Sequence, residues 1–345
     1  MSDTALYRKY RPHTFDEVLG QEQLVKALKG AIEQGKIGHA YLFAGSRGIG
    51  KTTLARIFAH EIGTKDRDLI EIDAASNRGI DDVRALREEV YTMPFESPYK
   101  VYVIDEVHML TKEAFNALLK TLEEPPRHVV FILATTEADK LPETIVSRCQ
   151  TFILKRPNEA TLREMIMRVA KAEGYVLESA SADLIALLAD GAFRDAHGIL
   201  QKVIGSSTDK KISAEEVEEI TGSPKTTLLL GLLDAVAIRD LDKSLVAVRA
   251  LADAGNATKT VLTMLSRLVR AVLLVRSSPS LMPTLKEEYT ENEWMNIERY
   301  AKESQVSINS KFLTALLDAQ MRTGTTYTPE LPLELALIEH LTKNP

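Results

Sequence analysis

A single cysteine, Cys149, occurs in 345 residues. One thiol cannot close an internal disulfide, and no charged-then-apolar leader precedes the first patterned residues, so a reducing, cytoplasmic setting is expected. The same count excludes a four-cysteine metal site. Long apolar runs are also missing. The greasiest stretch, Leu228 to Ile238, is interrupted by Asp234 and falls short of the roughly 20 residues a membrane helix needs, so it reads as a buried helix and no membrane partner is expected. There is no basic excess either: the formal net charge of −6 removes any whole-molecule attraction to nucleic acid and confines such binding to a local lining of Lys or Arg. No fixed-period repeat or low-complexity tract is evident.

What is present is an ordinary globular balance, 45% hydrophobic and 27% charged, in a chain long enough for two or three domains. Between Tyr41 and about Leu154, apolar runs alternate with amphipathic helical stretches: YLFA (41–44), LIEI (69–72), VYVI (101–104), VVFIL (129–133) and TFIL (151–154). Three of them are almost continuously apolar, as strands buried on both faces of a parallel sheet are. The alternation predicts an open α/β fold with five parallel strands. Between the third and fourth runs, Phe115, Leu118, Leu119 and Leu122 fall on one helical face, and Pro125-Pro126 stops that helix. After Pro157 strand signals give way to helical ones, with Ser213 to Glu216 matching a capping box. The boundaries read as 1–157, 158–222 and 223–345, the second a small helical domain and the third all-helical.

Directly after the first strand comes GSRGIGKT, which fits the phosphate-loop pattern in the strand-loop-helix setting that motif requires. Its residues are Gly45, Ser46, Arg47, Gly48, Ile49, Gly50, Lys51 and Thr52, with Thr53 opening the helix behind them. Glycines let backbone N–H groups curl around phosphates, and the helix presents its positive dipole end to the same anion. Lys51 would neutralise the β/γ-phosphates of ATP and Thr52 would bind Mg²⁺; the alternative is a glycine turn without a ligand. The third strand ends VYVIDEVH, where Asp105 is suited to the metal and Glu106 to an attacking water. Taken alone, the two read equally as solvated strand-end charges. The fourth strand ends in ATT, from which Thr136 can reach the γ-phosphate or the water. His108 reads as a packed or surface histidine and is assigned no role. Missing from the set is a cation for the transition state, often an arginine supplied in trans.

Five stretches, YRKYRPHTFDEVLGQ (7–21), HAYLFAGSRGIGKT (39–52), LIEIDAAS (69–76), VYVIDEVHMLTKEAFNALLKTLEEPP (101–126) and TIVSRCQTF (144–152), resemble the gamma/tau family of bacterial DNA polymerase III subunits, which are AAA+ clamp-loader ATPases. The resemblance covers roughly residues 5 to 157. It implies an ATPase core, a helical lid and a collar that assembles with other clamp-loader subunits into a partial ring around primer-template DNA. ATP binding lets that ring open a sliding clamp, and hydrolysis releases it. By position, Lys51, Thr52, Asp105 and Glu106 carry the phosphate-loop and acidic roles, and Thr136 is the first sensor. Arg148 is the finger that reaches a neighbouring subunit's ATP, and Arg194 the second sensor acting in cis. Arg11, Pro12, Val18 and Leu19 surround the adenine, although Arg11 reads equally as a surface cation. Cys149, at the entrance to an apolar strand with no histidine near it in sequence, reads as a small buried thiol, and its neighbour Arg148 is the functional residue.

The chain departs from the family in one interval. Members commonly carry a four-cysteine zinc module between the phosphate-loop helix and the second strand, where this sequence has HEIGTKDRDLIEID (60–73), so no zinc is expected. In NRGIDDVRALREEV (77–90), Arg84 is a candidate for DNA phosphate; an exposed arginine beside Asp81 and Glu88 is the alternative. Two other readings stay open. The SRC and LEEPP segments argue against a branch-migration or helicase motor, and the intact Lys51, Thr52, Asp105 and Glu106 argue against a non-catalytic ring scaffold.

Overall fold

The computed structural model describes residues 4–342 apart from 78, 80–82, 84, 85, 87, 208, 287 and 304–306. Five strands, β1 (Ala40–Ala44), β2 (Leu69–Asp73), β3 (Lys100–Asp105), β4 (Val129–Thr135) and β5 (Gln150–Ile153), form one sheet in the order β2-β3-β4-β1-β5. Every pairing in it is parallel, and each predicted run lies within one residue or two of an observed strand. Alternation of side chains across the pleat sends Tyr41, Phe43, Val101, Val103, Val130 and Ile132 to one face, and Leu42, Tyr102, Ile104, Phe131 and Leu133 to the other.

Helices cover both faces. On the first lie α1 (Glu22–Glu33), through Leu24 and Leu28, and α2 (Lys51–Glu61), through Leu54, Ile57 and Phe58. On the second lies α3 (Lys112–Glu123), through Phe115, Leu118 and Leu122. The Thr111 side chain caps α3 by accepting from the Ala114 N–H at 3.2 Å, and the helix ends just before Pro125-Pro126, as expected. Burying each such leucine or phenylalanine contributes about 1.5–3 kcal/mol, so the two apolar faces outweigh the few ion pairs at the rim.

The interval 60–73, in which no zinc is expected, contains a buried carboxylate. Asp68, buried ahead of β2, accepts backbone N–H bonds from Phe95 at 2.5 Å and from Glu96 and Ser97 at 3.0 Å. Burial by itself opposes ionisation of this carboxyl, but the hydrogen bonds from Glu96, Phe95 and Ser97 prevail and hold it below its ordinary value. The segment so fastened carries the exposed side chains of Tyr91, Met93 and Phe95.

By contact grouping the chain forms two compact units, Met1–Met165 with Ala189–Gly198, and Ile166–Leu188 with Ile199–Pro345. These do not coincide with the boundaries read from sequence. Two of the transitions fall inside helices, α5 (Glu159–Ala172) and α7 (Phe193–Ser206), where the helical pattern continues and no composition shift marks a change. In the second unit, α6 (Ser179–Leu188) and α8 (Ala214–Thr221) pack together, and Ser213 and Glu216 form the expected capping box. A two-stranded pair, Val176–Leu177 with Lys211–Ile212, went unpredicted because two residues carry no periodicity.

The rest of this unit is helical: α9 (Thr226–Ala237), α10 (Leu241–Asp253), α11 (Thr258–Ser277), α12 (Glu291–Glu303), α13 (Ser310–Arg322) and α14 (Leu331–Thr342). Its core centres on α11, whose Val261, Leu262, Leu265, Leu268, Val269 and Val272 recur at helical spacing. Asp234, which breaks the apolar run in α9, has a structural partner. It accepts from the buried Tyr300 hydroxyl at 2.8 Å and from Arg299 at 2.6 Å. Among the described residues no helix is long and apolar enough to cross a membrane.

Candidate nucleotide-binding site

The strand order determines where the site lies. β1 sits between β4 and β5, and β3 lies on the far side of β4, so the carboxyl ends of β1, β4 and β3 deliver three successive loops to one edge. The phosphate loop leaves β1 at Gly45, whose N–H donates to Thr135 O at the end of β4 (3.1 Å). Gly45 has φ +150°, and a Cβ there would stand 2.6 Å from Ile49 Cδ1 and 2.9 Å from the Leu154 carbonyl, so only glycine fits. At Gly48, φ +76°, a Cβ would lie 3.1 Å from Ala192 Cβ and 3.4 Å from Arg194 Cβ. That closeness lets the Arg194 N–H donate to Gly48 O at 3.3 Å.

Behind the loop, α2 begins at Lys51, which is 6% exposed. Its Nζ donates to the carbonyls of Gly45 (2.8 Å) and Ser46 (3.0 Å), so the ammonium is held inside the curl of the loop. Burial lowers its pKa, against the pull of Glu106 and Asp105. The Thr52 hydroxyl donates to Asp105 Oδ2 at 2.7 Å, across the end of β4. Glu106 takes a left-handed conformation, φ 48°, unusual for a side chain of its size. Its Oε2 accepts from the Thr136 hydroxyl at 2.9 Å and the Thr136 N–H at 3.3 Å. Lys51, Thr52, Asp105, Glu106 and Thr136, widely separated in sequence, therefore meet at one edge.

The remaining expected residues fall around this centre. Arg11 Nε donates to Thr53 Oγ1 at 3.0 Å, and the guanidinium pKa is lowered by burial and by Arg56. Val18 packs on the core beneath α1 and α2, Ile49 is buried in it, Pro12 and Leu19 are half-buried, and Arg47 is exposed. Arg194 is exposed beyond Gly48, its guanidinium carbon 5.8 Å from the Tyr7 ring centroid. Arg148 lies apart from the loop. It follows α4 (Glu143–Val146), donating to Thr144 O (2.8 Å) and to Glu123 (2.6 Å). Arg84 lies outside the described residues.

Cys149 is half-buried, and desolvation pushes its thiol up to about 11. Compared with the ordinary value of 9.0, this leaves roughly a hundredfold less thiolate at pH 8. Alkylation by iodoacetamide at pH 8, followed by mass spectrometry, should therefore be slow in the folded chain and fast in denaturant; equal rates would refute the assignment.

Two residues at this edge have no role assigned from the sequence: Arg156 is passed over there, and His108 reads as a packed or surface histidine. Arg156, just past β5, donates to the Ser46 hydroxyl at 3.2 Å and lies 3.5 Å from Asp190. His108, with a side chain only 7% exposed, lies 3.5 Å from Glu106 and 3.4 Å from Glu137. The only sequence signal for either was its position within a few residues of a strand end.

The donor set fits a magnesium nucleotide. The loop's N–H groups and the first turn of α2 form a cradle for phosphate, Lys51 supplies charge, and the paired Thr52 and Asp105 oxygens supply a small number of hard ligands. Among the described residues no group of three or more His, Cys, Asp or Glu side chains is arranged to hold a metal.

A phosphate loop between β1 and α2, an acidic end to β3 and a polar end to β4, on a sheet of this order, define the AAA+ class of nucleotide-binding fold. Structural comparison agrees. The Thermotoga maritima RuvB Holliday junction branch migration motor aligns with a TM-score of 0.54 and 26% identity, over 66% of this chain and 80% of that one. Residues 20–74 and 64–158 match the family model described as DNA polymerase III, delta subunit, and residues 212–343 match DNA polymerase III subunits gamma and tau domain III. DNA polymerase III subunit tau of Bacillus subtilis is 39% identical over 308 residues, 83% of this chain and 54% of that one. DNA polymerase III subunit gamma of Buchnera aphidicola subsp. Schizaphis graminum is 33% identical over 334 residues, 91% of this chain and 92% of that one. The chain belongs to the DNA polymerase III gamma/tau family. It spans about half the length of the B. subtilis tau protein.

Proposed function

We propose that this chain is an ATP-hydrolysing clamp-loader subunit. In this reading ATP binding drives ring conformations that open a sliding clamp, and hydrolysis releases the clamp on primed DNA. The observation that carries the proposal is the convergence of Lys51, the Thr52–Asp105 pair and the Glu106–Thr136 pair at one sheet edge. Lys51 and the loop N–H groups bind the phosphates, Thr52 and Asp105 hold Mg²⁺, Glu106 orients the attacking water, and Thr136 and Arg194 respond to the γ-phosphate. Held by Thr52 and Asp105, a bound Mg²⁺ would supply charge neutralisation to the nucleotide phosphates. Arg11, Pro12, Val18 and Leu19 border the adenine. The ATPase domain is 1–157, the lid 158–222 and the collar 223–345. The collar joins other clamp-loader subunits in a partial ring, which tracks the DNA backbone without reading sequence.

The test is ATP turnover by the chain with its partner subunits, measured with a sliding clamp and primed template added singly and together. Stimulation by the pair is expected, and its absence would sink the proposal.

A second reading, a branch-migration motor, draws on the likeness to RuvB. That likeness spans 66% of the chain, whereas the gamma and tau domain III match extends over 212–343, which favours the clamp loader. Unwinding of forked or four-way DNA would reverse this preference.

A further inference from the structure

The geometry points to His108 as the positioning residue that holds Glu106 in register with the end of β4; this inference rests on the proposed ATPase reading. Glu106 and His108 lie on one tight turn after β3, the helical turn Val107–Met109, and face Thr135, Thr136 and Glu137 at the end of β4. The imidazole is almost fully enclosed, and its Nδ1 lies 2.9 Å from Thr135 Oγ1 and 3.5 Å from Glu106 Oε2. On its other side, Nε2 lies 3.4 Å from Glu137 Oε1, and Glu137 pairs with Lys140. One ring thus spans both strand ends and touches the same carboxylate oxygen region that Thr136 holds.

Glu106 needs such a partner. Its left-handed backbone fixes where the side chain departs, but the rotamers beyond Cβ are free unless something flanks the carboxylate. Thr136 supplies two hydrogen bonds from one direction, and His108 restrains the same oxygen from another. A water-orienting group misplaced by about 1 Å can lose 100-fold in rate, so a restraint of this kind acts on turnover rather than on nucleotide affinity. His108 is at hydrogen-bonding or ion-pairing distance from Thr135, Glu106 and Glu137, and none of these belongs to the phosphate loop.

The experiment uses the full chain with its partner subunits and compares wild type with His108→Phe, which keeps a buried ring without nitrogens, and His108→Asn, which keeps an N–H near the Nδ1 position. His108→Phe is expected to lower kcat by roughly 10- to 100-fold, leaving KM and the affinity for a fluorescent ATP analogue unchanged, and His108→Asn to recover most of the rate. Combined with Glu106→Gln, His108→Phe should cause no further loss, because it acts through that carboxylate. The inference is overturned by wild-type turnover in His108→Phe, by a parallel fall in nucleotide affinity, or by an undiminished effect in the Glu106→Gln background. A wild-type ring without any turnover would sink the ATPase reading and this inference together. Turnover at the wild-type rate in His108→Phe while Glu106→Gln is inactive would sink the inference alone.

Discussion

Lys51→Ala is expected to bring ATP binding toward the limit of detection, with the affinity falling by about 30-fold to several thousandfold, since truncating one partner of a buried charge pair costs roughly 2–5 kcal/mol. The side chain is placed for this effect. Its ammonium is enclosed in the loop, bonded to the Gly45 and Ser46 carbonyls, and no other cation is held inside that curl among the described residues. Alanine also leaves two carbonyls without their donor, at about 1–3 kcal/mol if no water replaces it, so part of the effect falls on the loop itself. Titration of a fluorescent ATP analogue, paired with thermal unfolding in its absence, separates the two contributions. Undiminished affinity in a folded variant would refute the phosphate-loop assignment.

Arg148→Ala should behave in the opposite way, sparing ATP binding while hydrolysis in the assembled ring drops by about a thousandfold or more, the usual contribution of an arginine supplied in trans. Within its own chain Arg148 touches Thr144 and Glu123, not the phosphate loop. The ion pair with Glu123 is partly exposed. A pair of that kind is worth only about 0–1 kcal/mol, far less than a contact with developing phosphate charge, so it does not oppose redeployment to a neighbouring subunit. For the same reason the variant should fold with near-normal stability. Rings mixed from Arg148→Ala and Lys51→Ala chains provide the check: recovery to the wild-type rate would remove Arg148 from the shared interface.

The sheet was legible because its strands are buried on both faces. VVFIL and VYVI leave no polar face to display, and Gly45 to Thr52 follow the first strand at the one spacing that a phosphate loop allows. The Ser213 cap was legible because both partners lie within one turn. Other features depend on distance in the chain being closed by the fold. His108 looked like an ordinary packed histidine until parallel pairing of β3 with β4 brought Thr135 and Glu137 against the turn it shares with Glu106. Arg156 meets Ser46, 110 positions away, only because β5 pairs with β1. Two of the transitions between compact units were hidden for a different reason, since they fall within helices whose pattern continues through them.

Asp68, which lies between α2 and β2, gives the Tyr91–Ser97 segment ahead of β3 a particular vulnerability. Where a metal-fastened loop yields to a chelator, this one answers to acid. Three backbone N–H groups bind the ionised carboxylate, and its folded pKa is lowered. The stability it contributes is therefore present above the unfolded pKa and lost as pH falls through the lower, folded one. Protonation would weaken the acceptor shared by Phe95, Glu96 and Ser97 and loosen the segment that displays Tyr91, Met93 and Phe95.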